Sequence, residues 1–124
     1  MRSDRTLRRW YKDINARFFL GELPDNVCVR WADEDDVEED GRQCEDTCFG
    51  WADRGEGRHV YQIAISKKKN LALTAVLATL VHEMVHVRTA LKDDHGPVFE
   101  GWRKTLSNRG IFKKSALVQG RTLF

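Results

Sequence analysis

His82, Glu83 and His86 stand in the order His-Glu-Met-Val-His, two imidazoles four residues apart with a carboxylate beside the first. On a helix, residues i and i+4 lie one above the other on one face. Both rings can then reach a single zinc ion at about 2.0–2.1 Å. Glu83 is turned about 100° from His82 around the same helix, close enough to meet a water on the ion without ligating the ion itself. Zinc lowers the pKa of such a water towards about 7, and a neighbouring carboxylate can take its proton. The chemistry within reach is hydrolysis of a peptide carbonyl polarised by the metal.

A catalytic zinc site takes three protein ligands and keeps one position open. His95 follows His86 by nine residues, just past the helix that the apolar pattern predicts, so a turn there would bring it back to the ion. Glu100, five residues further on, competes for the same role. The fourth histidine, His59, reads as a structural or surface residue, and with Tyr61 as a candidate for transition-state contact. Cys44 and Cys48 have zinc-compatible spacing with Cys28 upstream, but no second pair exists, and unpaired thiols are the preferred reading. Imidazole donors also suit manganese or other divalent ions, and availability decides among them.

The elements that must carry these residues follow from periodicity. Leu7, Trp10, Tyr11, Ile14 and Phe18 recur at helical spacing and predict a helix over 5–20, capped by Ser3 or Asp4 and ended by Gly21. Val27, Val29 and Trp31 alternate as a short strand. Residues 48–52 and 59–66 predict two more strands around a Gly-rich turn at 53–57. Asn70 is a candidate cap for a long apolar helix over 71–91. Asp93 to Pro97 breaks it, and a last helix runs over 97–107 from Pro97, with Gly110 beyond its end. Residues 111–124 carry no assignable pattern. The order is helix, small antiparallel sheet, helix, helix, which is an α+β class.

At 124 residues this is one domain, 1–124. Hydrophobic residues make up 41% and charged residues 32%, which excludes a fibrous or wholly disordered chain. The longest apolar stretch, residues 71–81, is far short of the about 20 residues a membrane span needs, and no signal peptide is visible. An odd count of three cysteines points to a reducing compartment. A cytoplasmic monomer is expected, in its own cell or a host's, or at the nucleoid, and not secreted.

The net charge of +2 hides a strong asymmetry. Residues 1–24 carry six Lys/Arg against three Asp/Glu, residues 25–57 three against twelve, and residues 58–124 twelve against four. The acidic stretch at about 32–47 reads as a solvated insert, or as a segment that repels an acidic partner from one face. In the basic third, Lys67, Lys68, Lys69, Arg103 and Lys104 join Trp102, and beyond them Phe112, Lys113, Lys114 and Arg121. Basic residues interleaved with aromatics suit single-stranded nucleic acid. The competing reading packs Trp102 in the core and leaves the charges to solvent.

His82 to His86 followed by His95-Gly96-Pro97-Val98-Phe99 resembles the SprT-like domain of the Spartan metalloproteases, whose pattern is H-E-x-x-H and then H-G-x-x-F. The segment from Asn15 to Pro24 is similar to the family's N-terminal N-x-x-F-F…L-P. Val29-Arg30-Trp31 and Gln62-Ile63-Ala64-Ile65-Ser66 are similar to its strands. The resemblance spans roughly residues 7–106 and implies a zincin-like fold, one Zn2+ held by His82, His86 and His95, and Glu83 as general base. It also implies a protein substrate, bound or crosslinked to single-stranded or damaged DNA. The match is to a minimal version, since no cysteine after Cys48 could build the family's zinc ribbon. A protease directed by a protein partner, or a non-catalytic zinc module, are the alternatives, and an intact Glu83 argues against the second.

Overall fold

The computed structural model describes residues 1–92 and 95–111. The basic and aromatic positions Phe112, Lys113, Lys114 and Arg121, and Asp93 and Asp94 of the helix break, lie outside the described residues.

The first helix, α1 (Arg5–Phe18), buries Leu7, Tyr11, Ile14 and Phe18, the stripe that the spacing predicts. Asp4 is its cap: the Leu7 amide donates to Asp4 Oδ2 at 3.0 Å, satisfying one of the helix's orphan donors. Ser3, the other candidate, accepts instead from the Val29 amide and moors the N-terminus to the first strand. The helix stops before Leu20, because Leu20 and Gly21 both take positive φ, 56° and 72°. The turn is closed by Asn15, whose side chain exchanges two hydrogen bonds with the Leu23 backbone, and by Tyr11, whose hydroxyl donates to the Pro24 carbonyl at 2.6 Å.

Three strands form one sheet in the order β1-β3-β2, with β1 Val27–Trp31, β2 Gly50–Arg54 and β3 Tyr61–Ile65. The sheet is mixed, not antiparallel as the sequence suggests. β2 and β3 form the expected antiparallel hairpin, but β1 runs parallel to β3, Val27 opposite Tyr61 and Trp31 opposite Ile65. The reason is the long link between β1 and β2. Parallel neighbours need a crossover of about a dozen residues or more, and the acidic segment and β2 together supply it. Both hairpin strands lie about two residues later or shorter than predicted, and the turn shifts to 55–60. Gly55 is obligatory in that turn, since a Cβ there would run into the His59 carbonyl.

The acidic segment is a mostly exposed loop, as its charge run suggests, tethered to β1 at one point. Asp36 takes both guanidinium nitrogens of Arg30, at 2.7 and 2.8 Å, and also accepts from the Asp33 amide. Val37 bridges to Gln43, and a single helical turn, α2 (Cys44–Thr47), follows. Pairing with a cation from β1 offsets the repulsion that a run of carboxylates would otherwise feel.

The long apolar helix is α3 (Leu73–Arg88), followed by α4 (Pro97–Asn108), which starts with Pro97 in its first turn. Residues all round α3 are buried, Val76, Leu77, Leu80, Val81, Met84, Val85 and Val87 among them. A helix apolar on every side is a central one, and α3 packs against β2, β3, α1 and α4. Asn70 does not cap it; Ala72 occupies that position with no side-chain bond. Among the described residues no helix is long and apolar enough to cross a membrane.

Candidate metal centre

Helix α3 delivers His82 and His86 from one face and Glu83 from its buried flank, with Glu83 only 6% exposed. The chain must then reverse to return His95. The reversal is a Schellman closure: the Leu91 amide donates to the His86 carbonyl and the Ala90 amide to the Val87 carbonyl, both at 2.9–3.0 Å. Glycine is the usual residue at such a left-handed position, but here Ala90 and Leu91 adopt it, with φ of 55° and 62°. His95 itself has φ 65°. Each such residue costs about 1–3 kcal/mol and is retained where surrounding contacts over-determine it.

The outcome is convergence. His95 Nε2 lies 2.8 Å from His82 Nε2 and 3.1 Å from His86 Nε2. All three ligand atoms fall within 4.8 Å of one another. Tetrahedral ligands on a zinc ion at about 2.0–2.1 Å stand about 3.3–3.4 Å apart, so His95 lies within about half an ångström of that spacing from each of its two partners. Three imidazoles are a donor set that suits zinc and other first-row divalent ions. Glu100, the competing ligand, is exposed on α4 near Arg103 and is not among the converging groups.

Two supports went unread in the sequence. Phe99, buried on the first turn of α4, packs its ring 4.9 Å from each of the three imidazoles. It is the last residue of H-G-x-x-F, so the motif contained it without revealing its contact. Asn70, 5% exposed, donates to the carbonyls of Phe49 and Ser66 at 2.8 and 2.7 Å and accepts from the Thr79 hydroxyl at 2.7 Å. Thr79 lies one turn before His82 and Glu83. Asn70 therefore pins the start of β2 and the end of β3 to the helix that carries the site.

A groove runs between β2 and α3. Gly50, Trp51 and Ala52 line it on one side, and His82, Glu83, His86, Leu91 and His95 on the other, around a cavity of about 320 Å³. It continues past Phe49, Ala78 and Thr79. Gly50 lies at a close approach of β2 to α3. A Cβ there would lie 2.7 Å from the Thr79 methyl and 2.9 Å from the Ala64 carbonyl, so no side chain fits.

The remaining candidates lie elsewhere. His59 lines a different cavity with Arg8, Asp25 and Arg58, where burial and then the Arg58 charge lower its pKa. Tyr61 pairs with Arg54 at the far end of the hairpin from Gly50. Cys28, Cys44 and Cys48 are free thiols. Burial and the nearby Glu38 and Asp36 push the Cys44 thiol up, away from the thiolate that a metal ligand requires. Lys67 lies over the Trp31 ring, Lys68 pairs with Glu45 and Asp46, and Lys69 lies over Phe49. Trp102 packs against the core, stacked on Phe19 at 5.5 Å with Arg88 and Arg109 over its ring. Arg103 approaches Glu100 at 4.0 Å, and Lys104 is exposed. Neither a protein-family model nor a solved structure matches this chain.

Proposed function

We propose that this chain is a zinc-dependent endopeptidase of SprT-like type, with His82, His86 and His95 as ligands of one ion and Glu83 as general base. The observation that carries the reading is the convergence of three histidine ligand nitrogens within 4.8 Å, two of them from an H-E-x-x-H helix, beside a buried carboxylate. A zinc ion held there supplies a Lewis acid that polarises a peptide carbonyl and acidifies water. Glu83 accepts a proton from the attacking water and returns it to the nitrogen of the departing amine. The groove that Glu83 lines with Phe49, Gly50, Ala78 and Thr79 is where an extended substrate chain would lie beside β2. Phe99, its ring 4.9 Å from each imidazole, would hold the three rings against rotation.

The SprT-like resemblance carries DNA-bound proteins as the substrate class. The internal engagement of Lys67, Lys68, Lys69 and Trp102 favours a second reading, in which the groove selects its protein substrate and DNA plays no part. Both readings are separated from a non-catalytic zinc module by one experiment. Purified protein with one equivalent of zinc is given a DNA-binding protein substrate, with and without single-stranded DNA. Wild type cleaves, and Glu83→Gln retains the metal but cleaves about 10²–10⁴-fold more slowly, the usual contribution of a general base. Stimulation by DNA supports the first reading, and cleavage indifferent to DNA the second. A Glu83→Gln variant as fast as wild type would sink the catalytic assignment.

A further inference from the structure

A separate cavity, of about 480 Å³, lies at the other end of the sheet from the histidine triad. The groove at the triad meets β2 at Gly50, Trp51 and Ala52, whereas this cavity is walled by the turn that follows Arg54. At about 3.3 Å per residue, the strand between them sets the two more than about 10 Å apart. Three segments build the walls. The start of the chain and α1 bring Arg2, Arg5 and Arg8, the turn before β3 brings Arg58 and His59, and the approach to β1 brings Asp25. Four guanidinium groups therefore face one carboxylate. Asp25 is paired with Arg8 at 3.2 Å, and among the described residues Arg2, Arg5 and Arg58 enter no ion pair. The walls are fixed by backbone bonds to β1. The Asp4 amide donates to the Val29 carbonyl at 2.8 Å, and the Val29 amide donates to the Ser3 hydroxyl at 3.0 Å. On the other wall, the Asn26 side chain donates to the Arg58 carbonyl at 3.1 Å, and the Asn26 carbonyl accepts from the Val60 amide at 2.9 Å. The fold thus holds like charges together against their repulsion, which a bound anion would relieve.

We propose that this cavity binds a short chain of condensed phosphates, free or as the tail of a nucleotide. Charge comes first: three unpaired guanidinium groups call for an anion of several charges, which a lone carboxylate does not offer. Geometry agrees, because the planar guanidinium fork matches phosphate oxygens two at a time and stays charged at any physiological pH. The volume falls within the range of small-molecule pockets, about 300–1,000 Å³. No Phe, Tyr or Trp lines the cavity, so it lacks the stacking platforms on which single-stranded nucleic acid is held. His59, half-buried on the wall, is kept from protonation by burial and then by the Arg58 charge, and a polyanion between the two would offset that charge. No residue of the histidine triad lines the cavity, so the site stands whether or not the chain is a peptidase.

The test is calorimetric titration of tripolyphosphate into the full chain at about 0.1 M salt, where the screening length is about 10 Å. Wild type should bind it. Arg5→Gln and Arg58→Gln should each weaken binding about tenfold or more, the worth of one hydrogen bond to a charged group. Both side chains are exposed, so both variants should keep the wild-type melting temperature. Phosphates also bind zinc, so His95→Ala is titrated alongside. Affinity kept in His95→Ala and lost in the arginine variants supports the site. The reverse pattern places the ligand at the triad and overturns it, as does a wild type that binds neither tripolyphosphate nor ATP. The His59 ring resonance should shift on addition, and a spectrum in which His59 alone among the histidines stays still would also overturn it. ATP bound more tightly than tripolyphosphate identifies a nucleotide as the source; equal affinity identifies the bare phosphate chain. A single-stranded oligonucleotide that displaces tripolyphosphate at lower concentration, with the same dependence on Arg5 and Arg58, would make the cavity part of a nucleic-acid surface and overturn the small-ligand assignment.

Discussion

Two triplets of like side chains behave in opposite ways. His82, His86 and His95 are scattered over fourteen residues and meet with Nε2 atoms 2.8 and 3.1 Å apart. Lys67, Lys68 and Lys69 are consecutive and part company, one to Trp31, one to Glu45 and Asp46, one to Phe49. Proximity in sequence is therefore no guide to proximity in space; periodicity is. Helical spacing of four superposes two side chains, and a turn can add a third, whereas adjacent residues in a loop fan outwards. Convergence builds a site that can concentrate chemistry on one atom. Divergence spends its charges on holding neighbouring segments in place.

The sharpest way to break the convergent triplet is to remove its third member. His95→Ala should lower zinc affinity by more than about 100-fold, because losing even an outer partner of a ligand costs about 10–100-fold. Competition with a chromogenic chelator measures it. Glu100→Gln, in the same assay, should leave affinity within about twofold. Full zinc retention in His95→Ala would move the third ligand elsewhere.

How much of this could be read beforehand divides along the same line. The His82–Glu83–His86 face was legible because a helix has one period, and the Asp4 cap and the Pro97 start were legible because each is a local bond or a missing donor. The return of His95 was legible only as a need for a turn. No glycine marks it, since Ala90 and Leu91 take the left-handed conformation that glycine usually fills. Gly110, at φ 89° after α4, shows the readable form of the same closure. The parallel pairing of β1 with β3 was illegible because it is set by where a long link crosses, not by either strand's residues. Asn70 was misread for a related reason. Its position before an apolar helix suits a cap, but its side chain serves three groups from three other segments.

Asn70 supplies the next test, on the scaffold that holds the groove. Asn70→Ala would remove this partner from the Thr79 hydroxyl and from the Phe49 and Ser66 carbonyls, which keep the Ser66 and Asn70 amides as donors. Each hydrogen bond contributes about 0.5–1.5 kcal/mol net, so a net loss of about 3 kcal/mol in urea unfolding is the expected result. Because the residue positions β2 and does not touch the metal, zinc affinity should change far less than in His95→Ala. A destabilisation below about 1 kcal/mol would mean that the three bonds are readily replaced.

The Arg30–Asp36 pair tests what the tether of the acidic segment to β1 contributes. Its hydrogen bonds to Arg30 hold the Asp36 carboxyl below its ordinary value, against the opposing effect of partial burial. A depressed folded pKa contributes stability that is present above the unfolded value, about 3.9, and is lost as pH falls through the folded one. Wild type should therefore lose stability over that acid range, and Asp36→Asn should flatten this limb while costing about 2 kcal/mol at pH 7. Identical acid limbs in the two proteins would mean that the tether contributes no stability.

The smallest effects belong to the divergent triplet, and they decide the role of DNA. If Lys67, Lys68 and Lys69 contacted phosphates, replacing all three by alanine would reduce the salt dependence of single-stranded DNA binding by about 0.7 for each lost contact. With each lysine committed to a partner inside the chain, the expected change is none. Binding, if any, should keep its slope, and the melting temperature should move by no more than about 3 °C, as for exposed pairs that contribute little. A slope reduced by about 2 would show that the lysines exchange their internal partners for phosphates. The acidic turn at Glu45 and Asp46 would then be a competitor that nucleic acid has to displace, and Glu45→Gln with Asp46→Asn should strengthen DNA binding in the triplet's wild-type background.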